Sequence, residues 1–411
     1  MSTVTKSETM SYFSRHGKLT DRVPKSHYSR EYFEKEREKV FKRAWLNSGC
    51  RGSDLPEAGS FFLLPLPVAN TAVLFVRGDD GVVRGFHNVC PHRGNQVALH
   101  ECGTENRFIC SFHGWTFDTH GHLVAAPGSK RISNFNRSEH GLKPVAVDVW
   151  NDFIFFCLDN PPERSLQEYL GEWGRSVDGY NFGDLRLASH YRARVKANWK
   201  IMLDAFQEAF HVPFLHARSQ PDAGENDNPF AYALDIRLMG EHRQLSFPAN
   251  QQSITYSQDK AAQRTGVPPM TGRLVGFGNE SYREEFAPSH FPAGVNPTRS
   301  GRWAFDLNVV YPNWWIAIRG DHVHTYNFWP ITSDETLYEV RFYYPAALTV
   351  RERLYNEMRR VRVRNTLLED LSTVERTQAV LDSGANDYFV LTDEEITIAH
   401  HDFVTESFIA R

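Results

Sequence analysis

Cysteine is scarce. Cys50, Cys90, Cys102, Cys110 and Cys157 are the five in 411 residues, too few and too odd a number for a disulfide framework in a chain this long. A reducing cytoplasm is therefore the expected compartment. Long apolar runs are also missing: no stretch reaches the roughly 20 residues of a membrane-spanning helix, so a soluble protein and no membrane partner are expected. Residues 1–25 are polar and lack the apolar core of an export signal, which reads as a partly ordered leader. Neither sign of charge dominates. The formal net charge is −4 and no basic stripe appears, which removes the electrostatic footprint of a nucleic-acid binder. There is no internal repeat.

What is present changes texture along the chain. Ser29 is placed to cap a helix with Glu31 in its first turn and Tyr32, Phe33, Val40, Phe41 and Trp45 on its apolar side. From 50 to 158 short apolar runs alternate with turn residues, giving expected strands at 61–64, 73–76, 82–88, 145–150 and 153–158, the last two joined by Asn151-Asp152. Pro161-Pro162 marks a boundary. Beyond it, 198–210 has helical spacing, while 303–310, 314–318 and 337–344 read as strands. The Gly-, Pro- and Ser-rich stretch 249–301 is expected to be a mobile loop. Residues 349–381 form a strong helix candidate, with Leu354, Met358, Val361, Leu368, Leu371 and Val374 on one side and a stop near Gly384. Three parts follow: 1–45, packing on the catalytic part, then 46–160 and 161–411.

The first chemical motif is Cys90-Pro91-His92 with Cys110-Ser111-Phe112-His113, two loops that each offer one thiolate and one imidazole. The seventeen residues between them can form a returning hairpin. Two sulfurs on one iron and two neutral imidazoles on the other make a 2Fe-2S cluster of raised potential, a one-electron relay. Gly94, Gly114 and Gly121 allow tight turns that bring backbone N–H groups near the cluster. Zinc is the alternative, but zinc fingers keep cysteines on one arm and histidines on the other, and here each arm mixes them.

The second motif is Asn198-Trp199-Lys200 followed by Asp204, Glu208, His211 and His216. Glu208 and His211, three apart, are expected on one helix face, whereas His211 and His216 would diverge by roughly 140° on a regular helix. Pro213 between them is expected to break the ladder and swing the second imidazole to the same metal. Two histidines and a carboxylate leave ferrous iron open to dioxygen. Spacing leaves the third ligand open among Asp204, Glu208, Glu369 and Asp370.

These segments, with Glu375 and Gln378, together resemble the catalytic alpha subunit of the Rieske non-haem iron ring-hydroxylating oxygenases over nearly the whole chain. The resemblance implies an α+β fold: an all-β Rieske domain inserted in a helix-grip catalytic domain, with a curved antiparallel sheet around a long helix. It implies Cys90, His92, Cys110 and His113 as cluster ligands, His211, His216 and Asp370 as ligands of a mononuclear Fe(II), and Glu369 beside them. Glu208 takes the place of the carboxylate that joins a neighbouring subunit's Rieske histidine to an iron-ligand histidine. Many members carry Asp there, and Glu is more similar to the branch of demethylases and quaternary-ammonium monooxygenases. Asp204 stands where naphthalene-type enzymes carry Asn.

The implied system takes electrons from NAD(P)H through a reductase or ferredoxin and uses O2 on a small organic substrate. A homotrimer is expected, and a beta subunit is left open. The first reading is hydroxylation of an apolar aromatic or alicyclic ring, suggested also by Phe206, Phe210 and Phe214. The alternative is oxidative demethylation or quaternary-ammonium oxidation, with Trp314, Trp315 and Trp329 as an aromatic box for a cation. A third reading, an electron-transfer protein without oxygenase activity, leaves the second motif unexplained.

Overall fold

Short apolar runs closed by turn residues build most of the strands in the computed structural model, which describes residues 11–217, 219, 228–248 and 290–411, the side chain of Arg351 excepted. The first antiparallel sheet has seven strands in the order Leu46–Arg51, Phe153–Cys157, Pro144–Trp150, Val83–His87, Thr71–Arg77, Ser60–Leu66 and Cys102–Thr104. Asn151 and Asp152 both take positive φ, 47° and 71°, which lets Trp150 sit directly opposite Phe153 across a two-residue turn. A three-stranded sheet, Arg107–Ile109, Thr116–Asp118 and Leu123–Ala125, packs Phe108, Trp115 and Phe117 against Phe61, Leu74 and Val76. The expected hairpin between the two cysteine loops does not form. Cys102–Thr104 joins Ser60–Leu66, whereas Arg107–Ile109 pairs with Thr116–Asp118, so the connection passes from one sheet to the other.

The second sheet also has seven strands: Leu185–Val195, Glu335–Pro345, Val323–Thr332, Trp314–Ile318, Trp303–Val310, His242–Pro248 and Asp235–Met239, all antiparallel neighbours. Alternation along these strands separates two buried faces. Trp315, stacked on Tyr326 at 4.1 Å, lies on the inner one with His324 and Tyr338. The outer face meets the first sheet: Trp314 packs on Phe153 and Phe155, and Asn327 Nδ2 donates to Asn47 O at 3.1 Å. An aromatic box of Trp314, Trp315 and Trp329 is therefore excluded, because neighbouring residues of one strand point to opposite faces. Trp329 Nε1 donates instead to Glu339.

The long helix spans Val350–Ala379. Thr349 Oγ1 accepts from Glu352 N, and the Glu352 carboxylate accepts from Thr349 N, a reciprocal cap. Its expected apolar side is only half right: Val374 is buried, but Leu354, Val361 and Leu368 are exposed, and Leu367 and Asp370 face inward in their place. Of the expected mobile stretch, 249–289 lies outside the described residues. The rest is anchored, with Phe291 and Val295 buried and Gly294 N donating to Ser176 O.

The helix Arg30–Glu36 is capped by Ser29, whose Oγ accepts from Tyr32 N. Asn198-Trp199-Lys200 ties it down: Trp199 Nε1 and Lys200 Nζ both reach the buried Glu36 carboxylate, at 2.9 and 2.8 Å. Ahead of it, Arg22–Pro24 pairs antiparallel with Tyr388–Val390. Among the described residues, no helix is long and apolar enough to cross a membrane.

Candidate metal centres

Cys90 and Cys110 open two loops of the same construction. Each cysteine N–H donates five residues on, to Asn95 O and Trp115 O, and each cysteine carbonyl accepts from the glycine four residues on, Gly94 or Gly114. Those glycines have φ of 75° and 70°, the left-handed region that a side chain resists, so both loops turn at the same step. Both sulfurs are buried. Burial opposes charge on Cys110, but the N–H groups of Phe112 and His113, the Asn95 amide and the Cys90 thiol prevail and hold its thiol below the ordinary value, while burial and Cys110 push the Cys90 thiol up.

The imidazoles of His92 and His113 meet at 4.5 Å between centroids, and His92 stacks flat on Trp115. His113 Nδ1 is shut from solvent with no hydrogen-bond partner. Among the described residues, no three of these four side chains bring their ligand atoms within 4.8 Å of one another, the arrangement that a single ion needs. Sulfur pair and nitrogen pair, each close but set apart, fit a two-iron cluster better than one tetrahedral zinc.

The second centre departs from the expected helix. The helix begun by Trp199 stops at Asp204, so Glu208 and His211 share no helix face and meet across an irregular turn. Pro213 breaks nothing. It lies in the first turn of a short helix, Val212–Leu215, where its missing N–H is harmless, and His211 and His216 are that helix's two caps. One turn of helix thus brings the rings to 5.1 Å between centroids.

Each ring has an outer and an inner nitrogen. His211 Nδ1 bonds Glu208 Oε1, and His216 Nδ1 lies 2.8 Å from Glu369 Oε2, which also accepts from Ser219 Oγ. The inner Nε2 atoms lie 3.4 and 3.0 Å from Asp370 Oδ1. Glu369 and Asp370, consecutive on the long helix, point about 100° apart and grip His216 from two sides. Of the four carboxylates that spacing left open, Asp370 is the one that meets both inner nitrogens. Asp204 is consumed elsewhere, accepting from Tyr28 OH, Gln207 Nε2 and His401 Nδ1.

Burial pulls the His211 pKa down, yet Glu208 and Asp370 outweigh it and push it up to about 10. A pocket so rich in negative charge calls for a cation. Two imidazoles with carboxylate-held outer nitrogens and a buried carboxylate between the inner ones fit ferrous iron. Above lies an aromatic wall: Phe206 sits 5.4 Å from both Tyr326 and Tyr338, and Asp370 raises the pKa of both tyrosines, after the larger effect of burial. Phe214 is largely exposed and takes no part.

Of this wall the sequence pointed to Phe206 and to the strand of Tyr338, but not to Tyr326. Its strand, Val323–Thr332, was not among the expected ones, although the period-two order His324, Tyr326, Phe328 could have found it.

Comparison with known proteins fits these two centres. Residues 49–136 match the Rieske [2Fe-2S] domain family and residues 182–410 match the ring hydroxylating alpha subunit (catalytic domain) family. The glycine betaine monooxygenase oxygenase subunit of Pseudomonas aeruginosa is 26% identical over 307 residues, 74% of this chain and 69% of that protein. The carnitine monooxygenase oxygenase subunit of Escherichia coli K12 is 32% identical over 186 residues, 45% of this chain and 49% of the relative. The structure of the quaternary ammonium Rieske monooxygenase CntA with L-carnitine has a TM-score of 0.70 at 20% identity, covering 94% of this chain and 95% of its own. Naphthalene 1,2-dioxygenase from Rhodococcus sp. bound to indole has a TM-score of 0.71 at 20% identity and 95% coverage of each chain. At that identity the structures speak for the fold alone. The chain belongs to the ring-hydroxylating alpha-subunit family and is the oxygenase component of a Rieske system, an oxidoreductase that incorporates oxygen from O2 with a 2Fe-2S cluster and a mononuclear non-haem iron.

Proposed function

We propose that this oxygenase hydroxylates a ring-bearing, largely apolar substrate held against Phe206, Tyr326 and Tyr338. The observation that carries the reading is the convergence of His211 Nε2, His216 Nε2 and Asp370 Oδ1 beside that wall. In this reading Cys90, His92, Cys110 and His113 hold the cluster, and His211, His216 and Asp370 hold the iron. The bound metals supply one-electron delivery and dioxygen activation. The chain's own part is positional. Glu208 and Glu369 hold the Nδ1 protons, which fixes both tautomers and turns the Nε2 lone pairs inward. The wall excludes water and presents the flat of a ring.

The reading includes the division 1–45, 46–160 and 161–411, supported by the two self-contained sheets. It also includes electron supply from a reductase or ferredoxin, and a homotrimer in which Glu208 meets His113 of another subunit. That histidine is half-buried and lies against the exposed Phe112, which suits such a contact. A second reading, oxidation of a quaternary amine, is supported by the betaine and carnitine relatives, although the three-tryptophan box is gone. Turnover with a defined electron donor separates them. Hydroxylated ring product by mass supports the first, and formaldehyde release without ring product replaces it with the second.

A further inference from the structure

The inner face of the second sheet runs on from the metal centre to a basic end. Beyond Tyr326 come His324 and then Arg319, which closes the strand Trp314–Ile318. Arg319 is stacked 4.2 Å over the Phe305 ring, and its Nε is shut from solvent with no hydrogen-bond partner. Among the described residues, no carboxylate reaches it. The nearest acid along the turn, Asp321, is taken by Arg359 at 2.9 Å and His322 at 2.7 Å. Burial, and then Arg359, lower the Arg319 pKa to about 10, which still leaves it charged at neutral pH. Arg319 is half-buried, so its charge is only partly screened by water and a counter-ion there would be favourable.

Two further polar atoms nearby are in the same condition. His324 Nδ1 and Tyr344 OH are buried and unpartnered, on a face otherwise made of Trp315, Phe342 and Phe305. Burial keeps His324 neutral, free to donate one hydrogen bond or accept one. A cation with one unsatisfied nitrogen and two unsatisfied neutral groups, on one largely apolar sheet face, describe the place of an anion.

Resting on the ring-hydroxylation reading, we infer that Arg319, with His324 and Tyr344, anchors a carboxylate at the end of the substrate remote from the iron. The sheet sets the length. Arg319 N donates to His322 O, which places it four residues from Tyr326, or about 13 Å at roughly 3.3 Å per residue. A carboxylate directly on the hydroxylated ring falls short. A fused ring system, or a ring with its acid on a side chain, fits. Arg319 thus selects the substrate and sets which carbon faces the iron.

The test is equilibrium binding to the metal-loaded protein, with the phenylalkanoic acids from phenylacetic to phenylhexanoic acid and their methyl esters as probes. The acid is expected to bind about tenfold or more tighter than its ester, with the preference rising along the series. Arg319→Met is expected to bring that ratio near one, and Arg319→Lys to restore part of it, at unchanged iron content. Equal binding of acid and ester by the native chain, or a preference that survives in Arg319→Met, overturns the anchor. If the acids bind as expected but are released without ring hydroxylation, the anchor stands and the ring-hydroxylation reading fails.

Discussion

The two metal centres are built in opposite ways. The cluster cradle is local: two five-residue loops, twenty residues apart, repeat one turn around one positive-φ glycine each. The iron cradle is assembled across the chain, with His216 and Glu369 separated by 153 positions. A local cradle depends on backbone conformation. A distributed one depends on the packing of the long helix against the segment after Asp204, and on carboxylates that hold the outer nitrogens.

That contrast can be broken outright by removing one centre at a time. Cys110→Ser is expected to lose the cluster, about two-thirds of the bound iron, and all turnover, while Asp370→Ala keeps the cluster's spectrum and loses the remaining third. Iron analysis with electron paramagnetic resonance reads both, and simultaneous loss of the two centres in either variant refutes their independence. Glu208→Ala is expected to keep the cluster and, at saturating iron, the iron centre, yet to lose coupled turnover, and undiminished product formation there ends the proposal that it links subunits. Glu369→Gln leaves His216 a weaker outer partner and is expected to cost about tenfold in iron affinity, measured by chelator competition, with the cluster untouched. The smallest effect belongs to Gly94→Ala. Nothing lies within 4 Å of the added Cβ, so only the φ of 75° is at stake, and a loss of about 1–2 kcal/mol is expected in denaturant unfolding.

The same contrast explains what could be read from the chain alone. Cys90, His92, Cys110 and His113, the proposed cluster ligands, stood out because their ligand types and glycines lie close together in sequence. The proposed iron site was half legible: His211 and His216 stood out, but only the family resemblance singled out Asp370, since a residue on a distant helix carries no local mark. Pro213 misled because proline serves equally as a helix breaker and as a first-turn residue. The strand of Tyr326 stayed hidden for a further reason. Both faces of Val323–Thr332 are buried and both carry aromatic and polar side chains, so the period-two order His324, Tyr326, Phe328 is its one local mark, with no exposed polar face to set it off.

The pairing of Arg22–Pro24 with Tyr388–Val390 has a consequence for synthesis on the ribosome. Among the described residues, the earliest strand waits for the latest, and Tyr28 waits likewise for Asp204. The first seven-stranded sheet waits for neither, since every strand from Leu46–Arg51 to Phe153–Cys157 pairs within its own block. Vectorial folding is therefore expected to start in the block 46–157, with the cluster's cradle complete before the helix that carries Asp370 has been translated.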